Sequence, residues 1–246
     1  EYYIDFLEYQ LLNFRTSFKI ESQYPRHFED LLAAEAEYLK DYGIVAIRHF
    51  DPNGRLVSTS PQEIPIPLPS QRLAWAQAPE NRDLALLTQT FTVPVAQGQQ
   101  QRWMAILAPL YGSSNTDPGA TVFQGVLEII FNPFYICKLV TQDVRSGQTG
   151  YAWIVDQDGI FLAHYETQFL GRNHLEVRKE RTPSISFSAI DKIVSERLLK
   201  GQEGTDIYLS GWHREQVGEI QKLIAFTPIH FTSGWVQGKL VVEDPT

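Results

Sequence analysis

The chain has 246 residues and a mass of 28.1 kDa, with 43% hydrophobic and 20% charged residues. That balance is globular and excludes a disordered or fibrous chain, and the length suits one large domain or two small ones. A formal charge of −8 and an isoelectric point near 5.3 exclude a nucleic-acid binder that works through basic phosphate contacts, and disfavour an anionic lipid surface.

Residues 2–42 are predicted as helix. Ile4, Leu7, Leu11, Phe14 and Phe18 recur in alternating steps of three and four, and Leu12 widens the stripe. Pro25 predicts a kink or a short break, because its ring removes an N–H and crowds the preceding turn. The pattern resumes at Phe28, Leu31, Leu32, Tyr38 and Leu39, with Glu35 placing a charge in the stripe, and Gly43 supplies the stop. Residues 4–18 have the spacing of a coiled-coil seam over about two heptads. Two uses of that face stay open: pairing with a second copy of the chain as a signalling and dimerisation helix, or packing on the chain's own modules.

After Gly43 the pattern becomes that of strands. Ile44–Phe50 and residues 55–59 flank an Asp51-Pro-Asn-Gly54 turn, the composition of a hairpin. Pro61, Pro65, Pro67 and Pro69 mark a loop, and residues 71–78 a short helix. Residues 91–96, 103–107 and 122–130 predict three more strands, and 134–140 leads into a connector. The order then recurs. Residues 150–155 and 160–163 flank Asp156-Gln-Asp-Gly159. Residues 186–199 form an amphipathic helix with Ile190, Ile193, Val194 and Leu198 on one face, and 206–210, 220–226 and 235–242 are strands. Ile106-Leu-Ala-Pro-Leu110 matches Ala225-Phe-Thr-Pro-Ile229, and Gln124-Gly-Val-Leu127 matches Gln237-Gly-Lys-Leu240. With the two Asp-x-x-Gly turns these share one order and an offset of about a hundred residues, which argues for two copies of one unit.

Gly147-Gln-Thr-Gly-Tyr-Ala-Trp-Ile-Val-Asp-Gln-Asp-Gly-Ile-Phe-Leu-Ala-His164, followed by Leu170-Gly-Arg172, resembles the opening of the second module in double Cache (tandem PAS-like) sensor domains of bacterial receptors. Ile224–Ile229 and Gly234-Trp-Val236 are similar to that family's last two strands. The resemblance implies an α+β fold: an N-terminal helix (1–42), a membrane-distal PAS-like module (43–140) and a membrane-proximal one (147–242), each with a central antiparallel sheet. It further implies the periplasmic part of an inner-membrane receptor, flanked by transmembrane helices. Such a receptor homodimerises through the N-terminal helix and feeds a histidine kinase, a chemoreceptor or a diguanylate cyclase. The distal module would hold a small molecule, and no catalysis, cofactor or metal is implied.

In relatives that bind amino acids, an Arg-x-Trp-Tyr motif roofs the distal pocket, and a later Asp holds the ligand's ammonium. Here Arg72 falls on the Arg and Trp75 on the Tyr, while Ala74 replaces the Trp and the apolar Ile130 stands at the Asp. An ammonium would be buried without a partner, so the resemblance points to an organic acid or another anion clamped by Arg72. Trp75, Trp103 and Tyr111 would line an apolar wall, and Glu128, alternating with Val126 and Ile130, would face the site. Other readings stay open. Arg72 can pair with a structural acid, the aromatics can be core, and Glu128 can be an exposed edge residue. The module as a whole can be a non-ligand-binding part that signals through a partner protein.

The remaining chemistry is sparse. Cys137, the single cysteine, lies in an apolar run and is expected to be a small buried hydrophobe. His164-Tyr-Glu166, His174-Leu-Glu176 and His213-Arg-Glu215 lack the second histidine spacing of a zinc site, and His164 is expected in a structural hydrogen bond. Nucleophile-elbow, phosphate-loop and zinc-protease motifs are missing from the sequence, so nothing positive supports catalysis. The aromatic residues Tyr151, Trp153, Tyr165 and Trp212 are expected as core of the second module. Both ends interrupt a regular pattern, as in a piece of a longer protein.

Overall fold

The computed structural model describes residues 2–21, 25–61, 64, 66–94, 100–114, 117, 119–229 and 240–243. The chain forms two compact units, Glu1–Pro133 with Phe231–Thr246, and Phe134–His230. The helical region is two helices, α1 (Tyr2–Glu21) and α2 (Pro25–Leu39). Proline is tolerated at the first position of a helix, where its missing N–H has no partner to lose. The Tyr3 hydroxyl donates to the Tyr42 carbonyl, so the start of α1 lies beside the end of α2 and the two form a hairpin.

The first unit's sheet has seven strands. Along it run β11 (Leu240–Val242), β3 (Ala85–Leu87), β5 (Gln100–Ser113), β6 (Thr121–Phe131), β1 (Ile44–Phe50) and β2 (Leu56–Pro61), and β4 (Phe91–Pro94) also pairs with β5. All pairings are antiparallel except β11 on β3. The two helices cover one face. Ile4, Leu7, Leu11, Phe14 and Phe18 of α1, and Phe28, Leu32, Ala36 and Leu39 of α2, are all buried. The seam-like stripe of residues 4–18 is thus covered within the chain by its own sheet. The rings of Phe18 and Phe28 stand edge-on to His49, whose Nδ1 lies 2.7 Å from Glu29 Oε1 on α2. Helix α3 (Ser70–Gln77) lies over the other face. Two apolar clusters fill that face, one around Trp103, Ile64 and Ile130, the other around Phe50, Leu68 and Leu107. Glycine is required at Gly125, where φ is +147° and a Cβ would meet the Phe50 carbonyl oxygen at 2.0 Å.

The second unit opens with α4 (Pro133–Thr141), followed by the short pair β7 (Ile154–Val155) and β8 (Phe161–Ala163). Helices α5 (His174–Arg181) and α6 (Ser188–Lys192) come next, α6 running on through a π turn and a 3-10 turn to Gly201. A long hairpin of β9 (Gly204–His213) and β10 (Gln216–Phe226) completes it. Phe161, Phe187, Ile190, Val194, Trp212 and Ile224 form the core. The two Asp-x-x-Gly turns are superposable in their bonding. Asp51 Oδ1 accepts from the amides of Asn53 and Arg55, and Asp156 Oδ1 from those of Asp158 and Ile160. Gly54 and Gly159 both take the left-handed conformation, at φ 76° and 71°.

The structure departs from the sequence reading at several elements. Residues 134–140 form a helix, not a connector. Of residues 150–155, only Ile154 and Val155 pair as strand. β3 and α5 were not expected. The closing strand joins the first unit beside β3 instead of completing the second, and Trp235 with the 230–239 segment lies outside the described residues. Leu11→Ala is expected to destabilise the protein by ~2–5 kcal/mol, because Leu11 is fully buried under the sheet. Urea unfolding with an unchanged m-value checks this.

Candidate functional site

The central strands of the first unit place opposite charges side by side. Arg48 on β1 and Glu128 on β6 are direct cross-strand partners, and both are 0% exposed. Arg48 Nε donates to Glu128 Oε2 at 2.7 Å, its Nη2 donates to the same oxygen, and its Nη1 donates to the Ile66 carbonyl at 2.7 Å. Among the described residues Glu128 Oε1 makes no hydrogen bond, and Arg72 Nη1 stands 4.0 Å from it. Arg72, 8% exposed on α3, grips Glu243 with both prongs, Nε to Oε1 at 2.8 Å and Nη2 to Oε2 at 3.0 Å. The Gln89 amide N–H donates to Glu243 Oε2, and its side chain donates to the Glu243 carbonyl. The Phe91 ring faces the Arg72 guanidinium at 5.1 Å.

Of the five residues singled out from sequence, the fold brings together two, Arg72 and Glu128. Trp103 is buried in the cluster with Val93 and Ile130, as core. Trp75 is half-buried against the Phe50 cluster. Tyr111 is buried against Phe123, and its hydroxyl donates to the Gln77 carbonyl at 3.3 Å. Burial raises its pKa. Glu128 is no edge residue, since β6 lies between β5 and β1. Arg48, Gln89 and Glu243 were missed. A charged residue inside the apolar run Ile44–Phe50, opposite another inside Val126–Ile130, was the available signal.

The second unit holds a crevice lined by Tyr151, Trp153, His164, Arg178, Tyr208, Trp212 and Lys222 among others, about 270 Å³ with its mouth included. Trp212, in the core, and Trp153, packed against it, also serve as its walls, Tyr151 is a half-buried wall residue, and Tyr165 is exposed. Asn173 caps α5 by accepting from the Leu175 amide at 2.9 Å, which aims Arg178 inward one turn after His174. Burial, then the nearby Arg178 and Arg181 cations, push Lys222 down to about 8. Burial, then Arg178, push His174 down to about 4, and burial with Arg178, Lys222 and Arg181 takes His164 down to about 3. His164 Nδ1 accepts from the Glu166 amide at 2.9 Å, the structural bond expected for it. Burial raises the Cys137 thiol to about 12, so it is an unreactive side chain of α4. Among the described residues no group of three or more His, Cys, Asp or Glu is placed to hold a metal.

Each of the two units combines strands with helices and carries an Asp-x-x-Gly hairpin turn of the same bonding. The family model of the Cache domain matches residues 1–244. The chain belongs to the Cache domain family, whose members are extracytoplasmic sensor domains of membrane receptors and not catalysts. No curated protein matches it. The extracellular domain of vpHK1S-Z8, assigned as a histidine kinase, aligns at 15% identity and a TM-score of 0.51, over 91% of this chain and 86% of that one. The ligand-binding domain of the Pseudomonas aeruginosa PAO1 amino acid chemoreceptor PctB, in complex with L-Arg, aligns at 16% identity and a TM-score of 0.46, over 89% and 87%. At 15% identity the likeness to vpHK1S-Z8 speaks for fold alone.

Two outcomes follow from the site's electrostatics. Arg48→Met is expected to cost ~3–5 kcal/mol by stranding the Glu128 charge, and the double variant Arg48→Met/Glu128→Leu is expected to recover much of it. Chemical denaturation of the single and double variants checks this. His164 and His174 have folded pKa values below the unfolded 6.5, so their contribution is complete above pH 6.5 and is lost as the pH falls toward 4 and 3. Urea midpoints measured across that window are expected to fall less steeply in His164→Gln than in the wild type.

Proposed function

We propose that this chain senses a small molecule bearing a carboxylate, taken by the first unit at Arg72. The observation that supports this is the Arg72 fork, buried, backed by Phe91 and already closed on the carboxylate of Glu243. A guanidinium held in that geometry accepts a free carboxylate by the same two bonds. Glu128 Oε1, without a hydrogen bond beside it, offers an acceptor for a donor on the same ligand. The incoming acid displaces Glu243 and frees the end of β11 from Arg72 and Gln89. Ligand binding thereby shifts the population of two arrangements of that segment.

The receptor around it is proposed to be a periplasmic-facing inner-membrane protein with flanking transmembrane helices. Its output is a histidine kinase, or alternatively a chemoreceptor or diguanylate cyclase. Among the described residues no helix is long and apolar enough to cross a membrane. Homodimerisation through α1 is left the outward face with Tyr9, Asn13 and Thr16, which are exposed. A second reading, a module filled by its own side chains that signals through a partner protein, is favoured by the same Glu243 contact.

A thermal-shift screen of organic acids separates the two. An acid at a hundredfold excess over Kd adds ~2.7 kcal/mol, on the order of 5–10 °C in Tm for a protein of this size. The shift is expected to vanish in Arg72→Ala and to appear at lower acid concentration in Glu243→Gln, where the internal competitor is gone. An equal shift in Arg72→Ala overturns the assignment. No shift with any acid in either wild type or Glu243→Gln selects the self-filled module.

A further inference from the structure

We propose that the second unit carries a separate site for a small oxyanion, a carboxylate of one or two carbons, held between Arg178 and Lys222. Among the described residues that line the crevice, none is acidic. Arg178 is 5% exposed, and what it touches is neutral: the His174 carbonyl and Nδ1, the Tyr208 hydroxyl, and the faces of Phe161 and Trp153 at 5.4 and 5.8 Å. Three acceptors leave part of a guanidinium's five N–H groups for a ligand. Lys222 Nζ lies over the rings of Tyr151 and Trp212, at 5.7 and 5.6 Å, and has no carboxylate partner among the described residues. Glu166, which reaches the Trp212 wall, is already engaged, accepting from Arg181 and from Trp212 Nε1.

Two cations gathered in one part-buried crevice without a counter-charge are costly to fold, because each loses hydration that aromatic faces only partly replace. An anion between them removes that cost, and a planar carboxylate matches the arginine fork while its second edge meets the ammonium. The dimensions select its size. The enclosed part has room for about one water molecule and the rest of the crevice is open, so a formate or acetate would lie mostly in the open part, and an amino acid or sugar is too large for the enclosed part. The aromatic walls suit a methyl group better than a second charge. This site involves none of the residues around Arg72, and the two assignments stand or fall separately.

Calorimetric titration of the whole chain with sodium formate and sodium acetate, at constant ionic strength in sodium chloride, tests the proposal. Saturable binding is expected in the wild type and unchanged in Arg72→Ala. In Lys222→Gln, a half-buried position where the fold is retained, affinity is expected to fall about tenfold or more through loss of a charged hydrogen bond. Arg178→Gln is expected to lose binding altogether, and circular dichroism reports whether that variant folds. The Lys222→Gln result decides on its own where it does not. Absence of saturation with both acids in the wild type, or equal affinity in Lys222→Gln, overturns the proposal. Loss of binding in Arg72→Ala alone moves the acid to the first unit and overturns it equally.

Discussion

The buried pairing of Arg48 with Glu128 constrains the whole first unit. Neither charge is tolerable at zero exposure without the other, so the register of β1 against β6 is tied to their meeting. A slip of one residue would turn Glu128 toward the helical face and leave Arg48 opposite an apolar strand. The same arginine reaches the Ile66 carbonyl, which seats the proline-rich segment leading to α3. Arg72 then arrives over Glu128 from α3. One polar row between two apolar clusters thereby places two strands, a loop and the helix that carries the proposed clamp.

The second unit treats buried charge in a different way. Its deepest cation, Arg178, is matched by aromatic faces and neutral oxygens, with the acid of the neighbourhood assigned to Arg181. The resulting field is positive, and it shows in the direction of every shifted base around the crevice: Lys222, His164 and His174 all lose affinity for protons. Burial is the largest cause for each, and the neighbouring cations add to it. In the first unit an internal carboxylate completes the Arg72 guanidinium, whereas among the described residues no carboxylate pairs with Arg178.

Much of the local structure was legible. The strand Ile44–Phe50, the helical stripe of α1 and the start of a second helix at Pro25 all appear where the residue pattern put them. Both Asp-x-x-Gly turns closed as expected because the aspartate caps amides within its own turn. Other elements carried no periodic signal. β3 is three consecutive apolar residues, too short to show a period, and α5 is dominated by charged residues and held by its Asn173 cap and three buried side chains, His174, Val177 and Arg178. β5 continues through Pro109 to a bulge at Leu110 and Tyr111, where the sequence reading had stopped short of the proline. Of the aromatic residues chosen as a ligand wall, Trp103 and Tyr111 lie in separate parts of the core and Trp75 is half-buried.

The sequence by itself determined the α+β class, the Asp-x-x-Gly turns and the face of each long helix, because these depend on residues within a few positions of one another. The tertiary structure alone decided which charges meet. Arg48 and Glu128 are 80 residues apart in the chain, and Arg72 and Glu243 are 171 apart. No local pattern encodes such a pairing. It follows from the path of the backbone, and from the cost of leaving a charge in the interior unpaired, which rejects every path that does not bring the partners together.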